Sequence, residues 1–154
     1  MLPLIAETKS GFILMHMQGT PPTMQIQPRY TDVVAEISEF FRQQYARAIG
    51  LNIDPMAIAF DPGIGFGKTL EHNLELLAQL ERLRTQDRPL VVGVSRKSFL
   101  GKLIGSPEIR DRLVPGVALS AILRARGADV FRVHDVKENV YALRVTEAIL
   151  QRAK

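Results

Sequence analysis

The sequence has no cysteine among its 154 residues. That absence excludes disulfides, thiolate nucleophiles, zinc fingers and iron–sulfur ligation, and leaves the redox compartment open. Tryptophan is absent too, and aromatics make up only 6% of the chain. The apolar runs Gly11–Met15 and Pro89–Val94 fall far below the roughly 18–20 residues that cross a bilayer. The N-terminus, Met1–Lys9, has no basic segment ahead of an apolar stretch, so no signal peptide is read there. A soluble cytoplasmic protein without a membrane partner is expected. Lysine and arginine number 20 against 16 acids, for a net charge of +4, yet no basic run exceeds Arg96-Lys97. A nucleic-acid face is therefore not expected, whereas small anions suit the charge. The three histidines, His16, His72 and His134, lack zinc-ligand spacing, and no Ser-His-Asp set or glycosidase-like carboxylate pair can be assembled.

What is present is ordinary globular composition, 46% hydrophobic and 23% charged, long enough for one domain with a real core. Runs at Phe12–Met15, Ala57–Phe60, Leu90–Val94 and Asp129–Val133 read as strands, and their continuous hydrophobicity suggests burial on both faces. Each is followed by a polar turn and a helix-period segment: Tyr30–Ile49 with a stop at Gly50, Leu70–Arg84 with Leu74, Leu77, Leu80 and Leu83 inward, Val117–Arg126, and Asn139–Arg152. The pattern is (βα)4 with parallel strands. An open doubly wound sheet and part of a (β/α)8 barrel compete, and a whole barrel needs about 250 residues. Leu2–Lys9 reads as the tail of a helix with no N-cap ahead of it, so the chain is expected to begin mid-fold.

In either architecture chemistry gathers at the C-terminal ends of the strands. Those ends carry Met15-His16-Met17-Gln18-Gly19, Asp61-Pro62-Gly63, Ser95-Arg96-Lys97-Ser98 and Arg132-Val133-His134-Asp135. Asp61 suits either an Asx turn or acceptance of two N–H donors from a heterocycle, or a metal. The loop Pro62–Thr69 is not a P-loop, because position 62 is proline where the motif needs glycine, and its glycine spacing fails the dinucleotide fingerprint. Gly63, Gly65 and Gly67 around Ile64 and Phe66 suit close approach to a flat ligand, with Phe66 as an apolar wall. Ser95–Ser98 reads as a solvated loop with a capping serine, or as an anion site from which Lys97 reaches a carbonyl or ring nitrogen. Arg132 and His134 project to one side of an extended segment and make a plausible phosphate clamp. His16 reads as structural and His72 as solvent-facing in a first helical turn.

Taken together, Leu14-Met-His-Met-Gln-Gly19, Asp61-Pro-Gly-Ile-Gly-Phe-Gly-Lys68, Gly93-Val-Ser-Arg-Lys-Ser98 and Arg132-Val-His-Asp-Val136 resemble dihydropteroate synthase, in order and interval. The resemblance covers essentially residues 1–154 but only the C-terminal half of that enzyme, its fifth to eighth βα units. It implies half of a pterin-binding TIM (β/α)8 barrel. The implied reaction joins 4-aminobenzoate to 6-hydroxymethyl-7,8-dihydropterin pyrophosphate, with early departure of pyrophosphate, by positioning and charge stabilisation. The resemblance assigns Met15, Asp61, Gly65 and Lys97 to the pterin, and Phe66, Arg96 and Ser98 to 4-aminobenzoate. Arg132 and His134 fall to the pyrophosphate with Mg²⁺. The metal's protein ligand is expected in the absent first four units, not in this chain. Sulfonamides are expected competitors, and either a homodimer through the last two helices or association with a missing N-terminal half is implied. Another pterin-binding barrel, such as a methyltetrahydrofolate methyltransferase, shares the Asp-based site but has no need of the anion clamp. A non-catalytic pterin-binding fragment is the remaining alternative.

Overall fold

The computed structural model describes residues 1–152. Six helices and four strands follow the expected βα order, except that an additional helix, not expected from the sequence, stands between the third and fourth strands. They are α1 (Leu2–Thr8), β1 (Phe12–Met15), α2 (Val33–Gly50), β2 (Ile58–Asp61), α3 (Leu70–Ala78), β3 (Val91–Val92), α4 (Ser98–Ile104), α5 (Leu113–Ala125), β4 (Val130–Phe131) and α6 (Val136–Leu150). β1 pairs with β2 and β3 with β4, both in parallel, and a parallel bridge from Phe60 to Leu90 joins the two pairs. The strand order is therefore 1-2-3-4 without a reversal. A doubly wound sheet reverses its order at a switch point, whereas a barrel runs in sequence. The sheet is thus an arc of a barrel.

Each strand turns one set of side chains toward the helices and the other inward. Phe60 is fully buried on the helix side and stacks on Phe41 of α2, with ring centroids 4.7 Å apart. Ile58, Leu90 and Val92 share that side and are 1%, 0% and 0% exposed. The inner side carries Ile13 and Met15 in register with Ala59 and Asp61, then Val130 on β4 and Arg132 just beyond its end. Burial on both faces holds for β2 and β3 only: Ile13 is 55% exposed and Val130 45%, because β1 and β4 are the edges of the arc and none of the described residues covers their inner side.

The helix boundaries follow local chemistry. α2 begins at Val33, three residues later than expected, because the Asp32 carboxylate accepts the Ala35 N–H at 2.9 Å and the Glu36 carboxylate accepts those of Thr31 and Asp32. Gly50 belongs to the helix. The stop is a Schellman motif: Ile53 N–H donates to Ala48 O, Asn52 N–H donates to Ile49 O, and Asn52 takes φ +58°. The helix expected over 70–84 ends at Ala78 and continues as a 3₁₀ turn, Leu80–Leu83. In a 3₁₀ turn residues three apart eclipse, which brings both Leu80 and Leu83 to 0% exposure, while Leu74 turns outward. α5 and α6 each start earlier than read from the pattern. Regular β3 and β4 are two residues long, although single hydrogen bonds carry the pairing onward from Leu90 to Asp129 and from Val92 to Arg132.

Candidate functional site

The inner face ends in a polar layer. Met15 is in register with Asp61, and Arg132 reaches Asp61 from just past the end of β4, with 3.8 Å between Nη2 and Oδ2. Arg132 crosses directly over Gly93, where a β-carbon would lie 2.5 Å from its Nη2, so residue 93 must lack a side chain for the guanidinium to reach inward. Asp61 is 3% exposed. One oxygen, Oδ1, accepts the Gly63 N–H at 2.8 Å, which is the Asx turn. The other accepts no hydrogen bond from the described residues, since 3.8 Å to Arg132 is beyond hydrogen-bond reach. Asp61 thus satisfies the turn with one oxygen and keeps the second for a donor. Burial pushes its carboxyl above the usual range, against the Gly63 N–H and the charges of Arg132, Lys97 and Lys68.

The glycine loop lies over the exit of β1. Gly63 has φ +66°, and a β-carbon there would sit 1.9 Å from the carbonyl oxygen of His16. Lys68 turns back beneath the loop, 3% exposed, and donates to Gly63 O at 3.1 Å and Phe66 O at 2.9 Å, with His16 Nδ1 at 3.1 Å. Burial, and then the neighbouring Lys68 charge, holds the His16 imidazole down at about 4. Asn73 is buried as well: its Oδ1 accepts the Gly65 N–H at 2.7 Å and its Nδ2 donates to Thr69 O. His72 is not simply solvent-facing. Its Nδ1 accepts the Thr69 N–H in a capping box, and its ring meets Tyr30 edge-on at 4.9 Å. From the other side Gln25 and Tyr30 donate to the carbonyls of Gly65 and Gly67.

At the exit of β3 the residues divide. Lys97 turns inward and places Nζ 3.9 Å from the centroid of the Phe66 ring. Burial, then Arg132, lowers its pKa, and Asp61 opposes the shift. Arg96 turns away with φ +58° and grips the Asp135 carboxylate through Nε at 3.1 Å and Nη2 at 2.5 Å. The Arg96 guanidinium is therefore occupied. Ser95 is buried and its Oγ lies 3.1 Å from His134 Nδ1, while also accepting the His134 N–H. Ser98 is the first residue of α4, exposed, with no side-chain cap bond: the N-cap is Lys97 rather than a serine. A cleft of about 550 Å³ beside the loop is lined by Gln25, Gly65, Lys68, Lys97, Ser98 and Lys102. Among the described residues no three His, Asp or Glu side chains converge as a metal cage requires, and Asp61 faces three cations instead.

The arrangement is a buried acceptor ringed by cations, next to an aromatic wall. The sequence profile of the family described as pterin binding enzyme matches residues 1–134. The chain belongs to the pterin-binding enzyme family. Dihydropteroate synthase of Escherichia coli (strain K12) is 47% identical over 150 residues, which cover 97% of this chain and 52% of that protein. The dihydropteroate synthase of Yersinia pestis, solved in complex with a sulfonamide drug, superposes with a TM-score of 0.93 at 42% identity, over 99% of this chain and 55% of that one. The Xanthomonas albilineans enzyme, solved with 4-aminobenzoic acid, gives a TM-score of 0.88 at 38% identity, over 97% and 52%. The chain spans about half the length of the curated relatives it matches. In this pterin-binding enzyme family member, Met15, Asp61, Gly65, Phe66, Lys97 and Arg132 gather at one mouth. Ser98 lines the cleft beside it, His134 is held by Ser95, and Arg96 is engaged by Asp135. Sequence reasoning did not single out Asn73, and it read Lys68, Ser95 and Asp135 only as members of their motifs, without the contacts they make here. Their partners lie 2 to 52 residues away, and the pairings 39 and 52 residues apart are set by tertiary packing, which no spacing rule reaches.

Proposed function

We propose that this chain is the C-terminal half of a dihydropteroate synthase, the fifth to eighth βα units of its barrel. In this reading the protein joins 4-aminobenzoate to 6-hydroxymethyl-7,8-dihydropterin pyrophosphate with release of pyrophosphate. The carrying observation is the Asp61 carboxylate, buried at the strand ends with one oxygen in the turn to Gly63 and the other without a hydrogen bond from the described residues. That oxygen takes the amino-pyrimidine edge of the pterin, Lys97 its carbonyl and ring-nitrogen edge, and Met15 and Gly65 pack against the ring. Phe66, Ser98 and the Arg96 loop shape the 4-aminobenzoate subsite, for which sulfonamides compete. Arg132 and His134 receive the departing pyrophosphate, Arg132 with two parallel N–H donors. Stabilising that leaving charge is the chain's main contribution to the reaction. Mg²⁺ belongs to this reading as a companion of the pyrophosphate. Among the described residues no cage for it is formed, and in this reading its protein ligand belongs to the preceding half.

Four further βα units cover the open inner face beside Ile13 and Val130, and two barrels pair through α5 and α6, where Ile122, Tyr141, Val145 and Ile149 are exposed. Support comes from the similarity to relatives twice as long. Calorimetric titration with the dihydropterin pyrophosphate and Mg²⁺ tests the site: the expected result is saturable binding that Asp61→Ala abolishes. Equal affinity in wild type and Asp61→Ala would overturn the reading.

A further inference from the structure

Lys68 stands where a phosphate-binding lysine would be sought, after a glycine loop and just ahead of the N-terminus of a helix. Its side chain runs the opposite way. It is 3% exposed, and Nζ meets the carbonyl oxygens of Gly63 and Phe66 at 3.1 and 2.9 Å and the Nδ1 of His16 at 3.1 Å. An ammonium has three N–H groups and no acceptor, so these three partners use its whole hydrogen-bonding capacity. Each partner is itself fixed. Gly63 O also accepts the Phe66 N–H at 3.0 Å, closing the 63–66 turn, and the His16 N–H donates to Asp61 O at 3.0 Å. The His16 ring lies edge-on to Phe40 at 4.9 Å. We infer that Lys68 is a positioning residue whose ammonium ties the exit of β1 to the glycine loop, holding Phe66 against Lys97 and the Gly63 amide against Asp61 without touching substrate.

The charged surroundings agree with that role. Besides His16, the groups facing Lys68 are Asp61, which favours the ammonium, and Lys97, which opposes it. Burial is the larger influence and pushes the amine down to about 8, while His16 is held neutral and keeps its Nδ1 lone pair for the contact. Arginine carries its donors on a planar fork, which three converging acceptors do not match. For a phosphate ligand the opposite holds, since the arginine fork suits phosphate well.

The test compares Lys68→Met and Lys68→Arg in the full chain. Amide hydrogen exchange at Gly63, Gly65 and Phe66, read without any ligand, is expected to accelerate about tenfold or more in both variants. Calorimetry with inorganic pyrophosphate is expected to give wild-type affinity within about twofold, because the lysine does not face the anion, while affinity for the dihydropterin pyrophosphate falls about tenfold. Unchanged exchange in Lys68→Met, or an Arg variant that restores pyrophosphate affinity lost in the Met variant, would overturn the clamp. If either variant fails to fold, ¹⁵N spectra of the wild-type chain at pH 6 decide. A slowly exchanging Lys68 ammonium coupled to the His16 ring supports the clamp, and one exchanging freely with water refutes it. The consequence for substrate rests on the proposed pterin site, whereas the exchange and ¹⁵N readouts do not, so failure of one leaves the other standing.

Discussion

Three glycines separate two costs that a single substitution would mix. Gly50 closes α2 without a positive φ, and a β-carbon there would meet nothing within 4 Å. Gly105 has φ +69° and equally open space, so alanine there meets only the left-handed backbone. Gly63 combines φ +66° with a β-carbon position 1.9 Å from His16 O. Alanine at position 50 is expected to be neutral or to stabilise by about 0.5 kcal/mol, since it removes a flexible residue from a helix. At position 105 the left-handed conformation costs about 1–2 kcal/mol. At position 63 the same cost applies, and the overlap with a backbone oxygen is relieved only by lifting the loop off β1. Lifting it breaks the Gly63 N–H bond to the Asp61 carboxylate, worth about 1.5–3 kcal/mol as a bond to a charged group, and strains the contact from Lys68. The total is about 3–5 kcal/mol, a large part of the 5–15 kcal/mol of a typical domain.

Urea unfolding followed by circular dichroism reads the series. With a slope of about 2 kcal/mol/M, Gly63→Ala lowers the midpoint by about 1.5–2.5 M and Gly105→Ala by less than about 1 M. Equal midpoints for Gly63→Ala and Gly105→Ala would refute the close seating of the loop on the exit of β1. The Asp61 geometry that depends on this seating would then fall with it.

Acid weakens the fold through His16. The unfolded chain binds this proton near pH 6.5 while the folded chain resists it down to about 4, so stability falls as pH drops through that window. The loss, discounted for partial exposure, is on the order of 2–3 kcal/mol and shows as a falling urea midpoint; a flat profile in which His16→Phe also changes nothing would count against it. Asp129→Ala removes the acceptor shared by the Leu90 N–H at 2.8 Å and Arg84 at 2.9 Å, and is expected to cost about 1–3 kcal/mol in thermal or urea unfolding. Ile13→Ser, on the open inner face, is expected to change the stability of this chain by less than about 0.5 kcal/mol, whereas Phe41→Ala in the core costs about 3–5 kcal/mol. A large Ile13→Ser effect would mean that the inner face is covered in solution.

How far the fold could be read from residues depended on how local its causes were. The inward stripe of α2 was legible because Val33, Val34, Ile37, Phe40, Phe41 and Tyr45 repeat at helical spacing; Val33, Val34, Ile37 and Phe41 are buried, and Phe40 and Tyr45 are partly buried against the core. The strand exits were legible because a parallel βα order places them at one end whatever the sheet's curvature. The break after Ala78 was not, since Leu74 and Leu77 fit an unbroken helix as well as Leu76, Leu80 and Leu83 fit a helix followed by a 3₁₀ turn. Only the core decides between them. The resemblance places Arg96 at the 4-aminobenzoate subsite; its pairing with Asp135, 39 residues on, is a tertiary contact that no local pattern signals. The same holds for Lys68 and His16, 52 residues apart.

The two faces of the sheet therefore carry different obligations. Side chains on the helix side, such as Ile58, Phe60, Leu90 and Val92, are buried within this chain, and their replacement acts on stability whatever else the protein meets. The inner side is apolar and open at Ile13 and Val130, then polar one layer higher at Asp61 and Arg132. A single strand-length step of about 6–7 Å thus separates a surface that calls for covering from one that calls for a ligand. Covering the lower layer would also wall in the upper one, lowering the dielectric around Asp61, Lys97 and Arg132 and strengthening each contact they make. In the proposed full barrel, closure and competence of the site would be one physical event.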